Sequence, residues 1–152
     1  MKWTIAALVL TCGLAATATA QDKKLQRSDL PPAVGKTADA QSAGATVRGY
    51  SSETEDGRLE YEVALTVNGH GKDVTIAPDG TVLEVEEEVA LDSLPPAVRA
   101  GLVRAAGAGK IGKVESLTKN GAIVAYEAHV RTGTKRSEVQ VGPDGKPLAH
   151  PE

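Results

Sequence analysis

The chain has one cysteine, Cys12, so it can form no internal disulfide and no cysteine-based zinc centre. It has no phenylalanine, one tryptophan and three tyrosines, and aromatic residues reach only 3%. That excludes the stacking platform on which single-strand nucleic-acid binders rely. Positive charge is also short: 17 Lys and Arg stand against 20 Asp and Glu, a net −3, which argues against a general phosphate-backbone binder. Long hydrophobic runs are missing. The main apolar stretch, residues 5–14, falls well below the about 20 residues a bilayer-spanning helix needs. What remains is a globular composition, 41% hydrophobic and 24% charged over 152 residues. This is room for one ordinary domain or two very small ones.

The first twenty residues have the order of a secretory signal. Lys2 supplies the positive start, residues 5–14 the apolar stretch, and Ala18-Thr19-Ala20 the small-residue cleavage site ahead of the polar Gln21-Asp22-Lys23-Lys24. Residues 1–20 are therefore expected to be a signal peptide, and the protein to be exported, periplasmic or secreted, with no stable membrane span after cleavage. The alternative is lipidation at Cys12, disfavoured because Thr11 stands where a bacterial lipoprotein signal has Gly, Ala or Ser. Cleavage after Ala20 leaves a mature chain with neither cysteine nor tryptophan.

The rest of the chain reads as one unit written twice. Leu30-Pro31-Pro32-Ala33-Val34 recurs as Leu94-Pro95-Pro96-Ala97-Val98, Asp56-Gly57 corresponds to Asn120-Gly121, and Tyr61-Glu62 to Tyr126-Glu127. Pro78-Asp79-Gly80 returns as Pro143-Asp144-Gly145, with Leu83 and Leu148 following. The landmarks keep their order at an offset of 64 and then 65 residues, which chance does not produce. The expected repeats are 21–90 and 91–152.

In the second copy the prolines suit a helix's first turn, with Asp92 or Ser93 available as a cap. Leu94, Val98 and Leu102 then follow at helical spacing until Gly107 and Gly109. Strands are expected at 110–119, 122–132 and 135–142, with a stub at 146–148, broken by Asn120-Gly121, Gly133-Thr134 and Pro143-Asp144-Gly145. The first copy predicts a poorer helix over 31–42, weakened by Gly35, and strands at 45–53, 58–67, 72–77 and 81–88. The expected fold is α+β: two tandem repeats, each a helix packed on a four-stranded antiparallel meander.

The LPPAV helix start, the turn followed by Tyr-Glu, and the PDG turn before a last strand resemble the PepSY-like domain. In tandem this is the β-lactamase-inhibitor-protein type, and the resemblance covers nearly all of residues 28–148. It implies an exported protein-interaction module with no catalytic residues to carry over, directed at another protein, as an inhibitor or regulator of an envelope or extracellular enzyme. The inhibitor type grips its target with an aromatic-rich concave sheet, whereas the mature chain offers only Tyr50, Tyr61 and Tyr126. The resemblance therefore does not extend to a β-lactamase target.

Strand alternation separates a buried face from an open one. In 58–67 it sends Leu59, Tyr61, Val63, Leu65 and Val67 inward. In 122–132 it sends Val124, Tyr126, Ala128 and Val130 inward, leaving Glu127, His129 and Arg131 as the open face of the second repeat. The outward residues of the first repeat are Glu60, Glu62, Asp73, Glu84 and Glu86, a candidate acidic face for a partner protein, with neighbours within about 5 Å across strands. Residues 21–90 carry 14 acidic and 7 basic side chains, and 91–152 carry 6 and 9. A solvated surface that keeps an open sheet soluble is the plainer reading of that face. An envelope cation-binding or cation-sensing protein using it is the alternative function.

No catalytic site, cofactor site or metal site is identified. His70, His129 and His150 lack HxxxH or HxH spacing, so a zinc site would need convergence from distant strands. No G-x-S-x-G elbow, P-loop, dinucleotide fingerprint or EF-hand spacing occurs. The expectation is a non-enzymatic protein binder without nucleic-acid partners. Its first test is processing: terminal sequencing of the exported protein should begin at Gln21, and retained Met1 or an acylated Cys12 would refute the signal assignment.

Overall fold

A computed structural model describes residues 23–55 and 57–152. The expected signal segment 1–20, its cleavage point, Cys12 and the turn residue Asp56 lie outside the described residues.

The chain runs β1 (Lys23–Leu25), α1 (Pro32–Gln41), β2 (Thr46–Glu55), β3 (Arg58–Val67), β4 (His70–Ile76) and β5 (Val82–Glu88). It continues with α2 (Pro96–Ala106), β6 (Lys110–Lys119), β7 (Ala122–Thr132) and β8 (Lys135–Val141). Both helices open on the second proline of their Pro-Pro pair, where a missing N–H costs nothing because the first turn leaves its N–H groups unpaired. Neither Asp92 nor Ser93 caps α2, contrary to expectation. Both sit in a short 3-10 turn, and the Ser93 hydroxyl donates instead to the Ala90 carbonyl at 2.7 Å. Two hairpins close on Asn-Gly pairs with positive φ at both residues: Asn68 and Gly69 at 50° and 86°, Asn120 and Gly121 at 52° and 75°. That geometry matches the twist of the flanking strands.

Among the described residues eight strands form one antiparallel sheet in sequence order, β1 to β8. This corrects the expectation of two separate four-stranded meanders. Strand β5 pairs with β6, from Val85↔Thr118 to Glu88↔Glu115, so the two expected sheets share an edge and neither exposes its unpaired backbone groups there. The expected stub at 146–148 is not a strand. Only a single bridge, Val141↔Pro147, forms, and a proline cannot donate to a ladder. The edge strand β1 is not among the expected strands; its Leu25 pairs with Tyr50 of β2.

Both helices cover one face of this sheet. Leu30, Val34 and Ala38 of the α1 segment pack on Val63, Leu65, Val74 and Ile76 of the sheet; Leu94, Val98 and Leu102 of the α2 segment pack on Val114, Tyr126, Ala128, Val130 and Val141. Tyr126 is buried as expected, and Tyr61 packs half-buried beside the first cluster. Leu59, expected inward, is 44% exposed near the β2–β3 turn. Val124 also falls outside the core clusters, because a bulge between Leu117 and Thr118 leaves it without a register partner.

Each PDG turn docks on the start of a helix. Gly80 (φ +90°) lies against the Ala33 backbone and Gly145 (φ +76°) against Ala97 so closely that a Cβ would clash with the carbonyl. The Thr37 hydroxyl donates to the Gly80 carbonyl at 2.7 Å, tying turn to helix. In α1, Gly35 leaves room for the Arg27 side chain, which lies beside it and forms a bidentate pair with Asp39 at 2.6 and 2.8 Å. Denaturation should find Tyr126→Ala costing about 3–5 kcal/mol, as for other large buried aromatics, and Leu59→Ala much less. Gly145→Ala should cost more than about 1 kcal/mol, since it combines a clash with positive φ. A Tyr126→Ala loss no larger than that of Leu59→Ala would reverse the assignment of faces.

Candidate functional site

Among the described residues no helix or strand lies over the face opposite the helices, and alternation fills it with polar side chains. Asp73 of β4 is the direct register partner of Glu86 on β5, and Glu86 in turn pairs with Leu117 on β6. One step along the strands, Glu62 and Glu84 flank Thr75. Glu60 pairs across to Glu53 on β2. In the second half Glu115, Glu127 and Gln140 form a row across β6, β7 and β8, and His129 stands opposite Glu138.

These residues line one cleft of about 890 Å³. All five candidates of the acidic face, Glu60, Glu62, Asp73, Glu84 and Glu86, are on its wall, together with Glu127 and His129. What the sequence separated into two faces is a single surface. Arg131 does not line it: its guanidinium Nε donates to the Gly133 carbonyl at 3.0 Å, and the residue lines an adjoining groove across β6, β7 and β8 that shares Lys113, His129 and Glu138 with the cleft.

The cleft is strongly acidic. Among the described residues, eleven carboxylate side chains line it against Arg58, Lys113 and Lys119. Several are paired: Asp73 with Arg48 at 2.5 Å, Glu84 with Lys119 at 3.2 Å, and Glu115 with Lys113 at 2.7 Å and His129 at 3.1 Å. Glu86 makes no hydrogen bond or ion pair to a described residue. Burial, and then the charges of Glu115, Glu84, Glu127 and Asp73, push its carboxyl up to about 8. Burial also raises Glu60, reinforced by Glu55, and raises Glu127, which Gln140 partly offsets by donating a hydrogen bond at 2.8 Å. No tyrosine reaches the cleft. Tyr50, Tyr61 and Tyr126 all pack on the helix side, so recognition there rests on charge and not on aromatic grip.

Sequence reasoning missed Glu115, the most buried acid of the cleft at 3% side-chain exposure, along with Lys113, Lys119, Glu138 and Gln140. Continuing the register of the Asn120-Gly121 turn without a break would set Glu115 opposite Tyr126, on the core face. The bulge after Leu117 shifts the pairing by one residue and sets it opposite Glu127. Two groups of potential ligands result, each with its atoms within 4.8 Å of one another: Asp73, Glu86 and Glu115, and Glu115, Glu127 and His129.

No protein-family model matches the chain, and no curated protein matches it. Solved structures do share its fold. A Bacteroides eggerthii protein whose name places it in the periplasm is 18% identical, over 78% of this chain and 86% of its own, with a TM-score of 0.64. A DUF2874 family protein from Bacteroides ovatus is 20% identical, over 78% and 84%, at 0.61. A BLIP-like protein from Bacteroides fragilis is 19% identical, over 78% and 83%, at 0.59. At these identities the likeness is one of fold.

The raised carboxyl of Glu86 has a signed consequence for stability. Folded, it takes up its proton near 8; unfolded, near the ordinary 4.5. Between those values the folded chain holds more protons, so stability falls as pH rises through the window and is recovered on acidification. Urea melts at about pH 5 and about pH 8.5 should show the native chain more stable at the lower value, with Glu86→Gln flattening the difference. An unchanged pH profile in Glu86→Gln would mean that another group carries the dependence.

Proposed function

We propose that this chain is an exported, non-enzymatic protein-interaction module. It is built of two PepSY-like repeats, 21–90 and 91–152, behind a signal peptide at 1–20. Its acidic cleft receives a basic surface of a partner protein, and docking there inhibits or regulates an envelope or extracellular enzyme. The observation that carries this reading is the gathering of like charge from β2 to β8 onto one sheet face that no described element covers, with Glu86 buried among other carboxylates and without an ion pair to a described residue. A basic partner would relieve that repulsion on binding, and the same field would steer its approach.

Three further observations support the reading. The fold is like that of a BLIP-like protein, and the periplasmic name of the Bacteroides eggerthii protein agrees with the signal sequence. The two PDG turns, each seated on the first turn of its helix, agree with the repeats. The described partners of His129 are all carboxylates, Glu115, Glu127 and Glu138, so none of them is a hydroxyl or thiol it could activate as a nucleophile. The alternative, a cation-binding or cation-sensing role, draws on the approach of Asp73, Glu86 and Glu115 within 4.8 Å. Calcium titration tests the alternative at these three carboxylates: heat at micromolar calcium favours a calcium-binding role, and silence at millimolar calcium removes that role.

The charge reading is tested on Glu60→Gln/Glu62→Gln/Glu86→Gln, which spares Glu84 because Lys119 already holds it. Weaker repulsion should raise the melting temperature and weaken binding of a lysine-rich peptide, with chemical-shift changes mapping to the cleft. An envelope protein retained by the native chain should be lost by the variant. A partner held equally by both, or shifts centred on the helix side, would show the acidic face to be solvated surface only.

A further inference from the structure

The geometry points to a site for a divalent transition metal of zinc type, formed by Glu115, Glu127 and His129 at the β6–β8 end of the cleft. Glu127 and His129 are alternate residues on β7 and face the same way, and Glu115 is the direct register partner of Glu127. His129 Nε2 lies 3.1 Å from Glu115 Oε2 and 3.7 Å from Glu127 Oε1. Ligand atoms held 2.0–2.2 Å from a tetrahedral ion stand about 3.3–3.6 Å from one another, so the two distances from His129 are already near the spacing such an ion requires, and all three ligand atoms lie within 4.8 Å of one another.

What distinguishes this group from a mere crowd of acids is that the opposite atom of each ligand is held from outside. Lys113 Nζ binds Glu115 Oε1 at 2.7 Å. Gln140 donates to Glu127 Oε2 at 2.8 Å. Glu138 Oε1 lies 3.4 Å from His129 Nδ1. His129 Nε2 is hydrogen-bonded to Glu115 at 3.1 Å; a metal there would take the place of the Nε2 proton and leave Nδ1–H facing Glu138, the carboxylate–histidine arrangement found behind metal ligands. One imidazole and two carboxylates suit zinc, nickel, cobalt or copper better than calcium or magnesium, which prefer all-oxygen shells. Glu115 and Glu127 are mostly buried and His129 lies on the cleft wall, so a fourth position can face solvent or a partner's side chain. The Lys113 charge weakens affinity, and the neighbouring Glu138 and Glu86 counter it.

Calorimetric titration of the purified exported chain with zinc chloride tests this, with calcium and magnesium chloride as comparators. One zinc per chain is expected. Glu138→Gln and Gln140→Ala should each weaken it about 10–100-fold, and His129→Asn more than either. In the native chain zinc should shift the ring resonances of His129 and leave those of His70 and His150 in place, a readout that needs no variant to fold. Glu60→Gln, outside the ligand set, should bind zinc as the native chain does. The site is overturned by silence at millimolar zinc, by ring shifts at His70 or His150 only, by calcium binding as tightly, or by Glu60→Gln losing as much as His129→Asn. This site and the docking reading fail separately: a lysine-rich peptide can bind the cleft whether or not zinc does.

Discussion

The pairing of β5 with β6 is the constraint on which the rest of the molecule depends. Each half is about 60 residues, a size at which a single core is marginal. The four register pairs from Val85↔Thr118 to Glu88↔Glu115 turn two small sheets into one. With a continuous sheet, both helices can cover the same side, and the other side becomes a single surface wide enough to hold a cleft. If the ladder parted at this seam, Asp73 and Glu86 would separate from Glu115, Glu127 and His129, and neither half would retain a complete acidic wall.

The seam also changes what the charge imbalance means. The sequence divides into an acidic first half and a basic second half, and that asymmetry invites an external partner. Part of it is satisfied internally. Lys119 from β6 reaches Glu84 on β5, and Lys113 on the same strand holds the buried Glu115. Buried carboxylates of this kind are costly unless paired, and leaving one unpaired costs more still. Glu86 has no such partner among the described residues: four other acids bear on it, and Lys113, whose charge it also feels, is held by Glu115. The charge open to recognition is therefore less than the composition suggests, and it is concentrated toward β4 and β5.

Much of the fold was legible because its signals are local. The Asn-Gly hairpins announce themselves through a backbone shape few residues adopt, and β3, β6 and β7 have the bounds that alternation predicts. Parity alone placed Glu60, Glu62, Asp73, Glu84 and Glu86 on one face. What was hidden is non-local. Strand β1 is three residues, Lys-Lys-Leu, with no pattern to read, and it exists because β2 offers it an edge. The joining of β5 to β6 leaves no mark in either strand. Arg131 has the parity of His129, yet it turns toward Gly133 at the hairpin end and out of the cleft.

The bulges of the β6–β7 hairpin tie the core to the site. The register breaks between Leu117 and Thr118 and again between Ile111 and Val114. The stretch between those breaks is offset by one residue from the pairing on either side. In the offset register Val114 meets Ala128 beneath α2, while Glu115 meets Glu127 on the open face. In the unshifted register Val114 would oppose Glu127, and Glu115 would oppose Tyr126, setting a carboxylate against the core in both pairs. The bulges are thus needed first to keep the apolar face apolar, since a one-residue slip moves a strand's side chains to the wrong side. The same shift sets Glu115, Glu127 and His129 side by side, so the arrangement of potential ligands follows from the packing that lets the second core close.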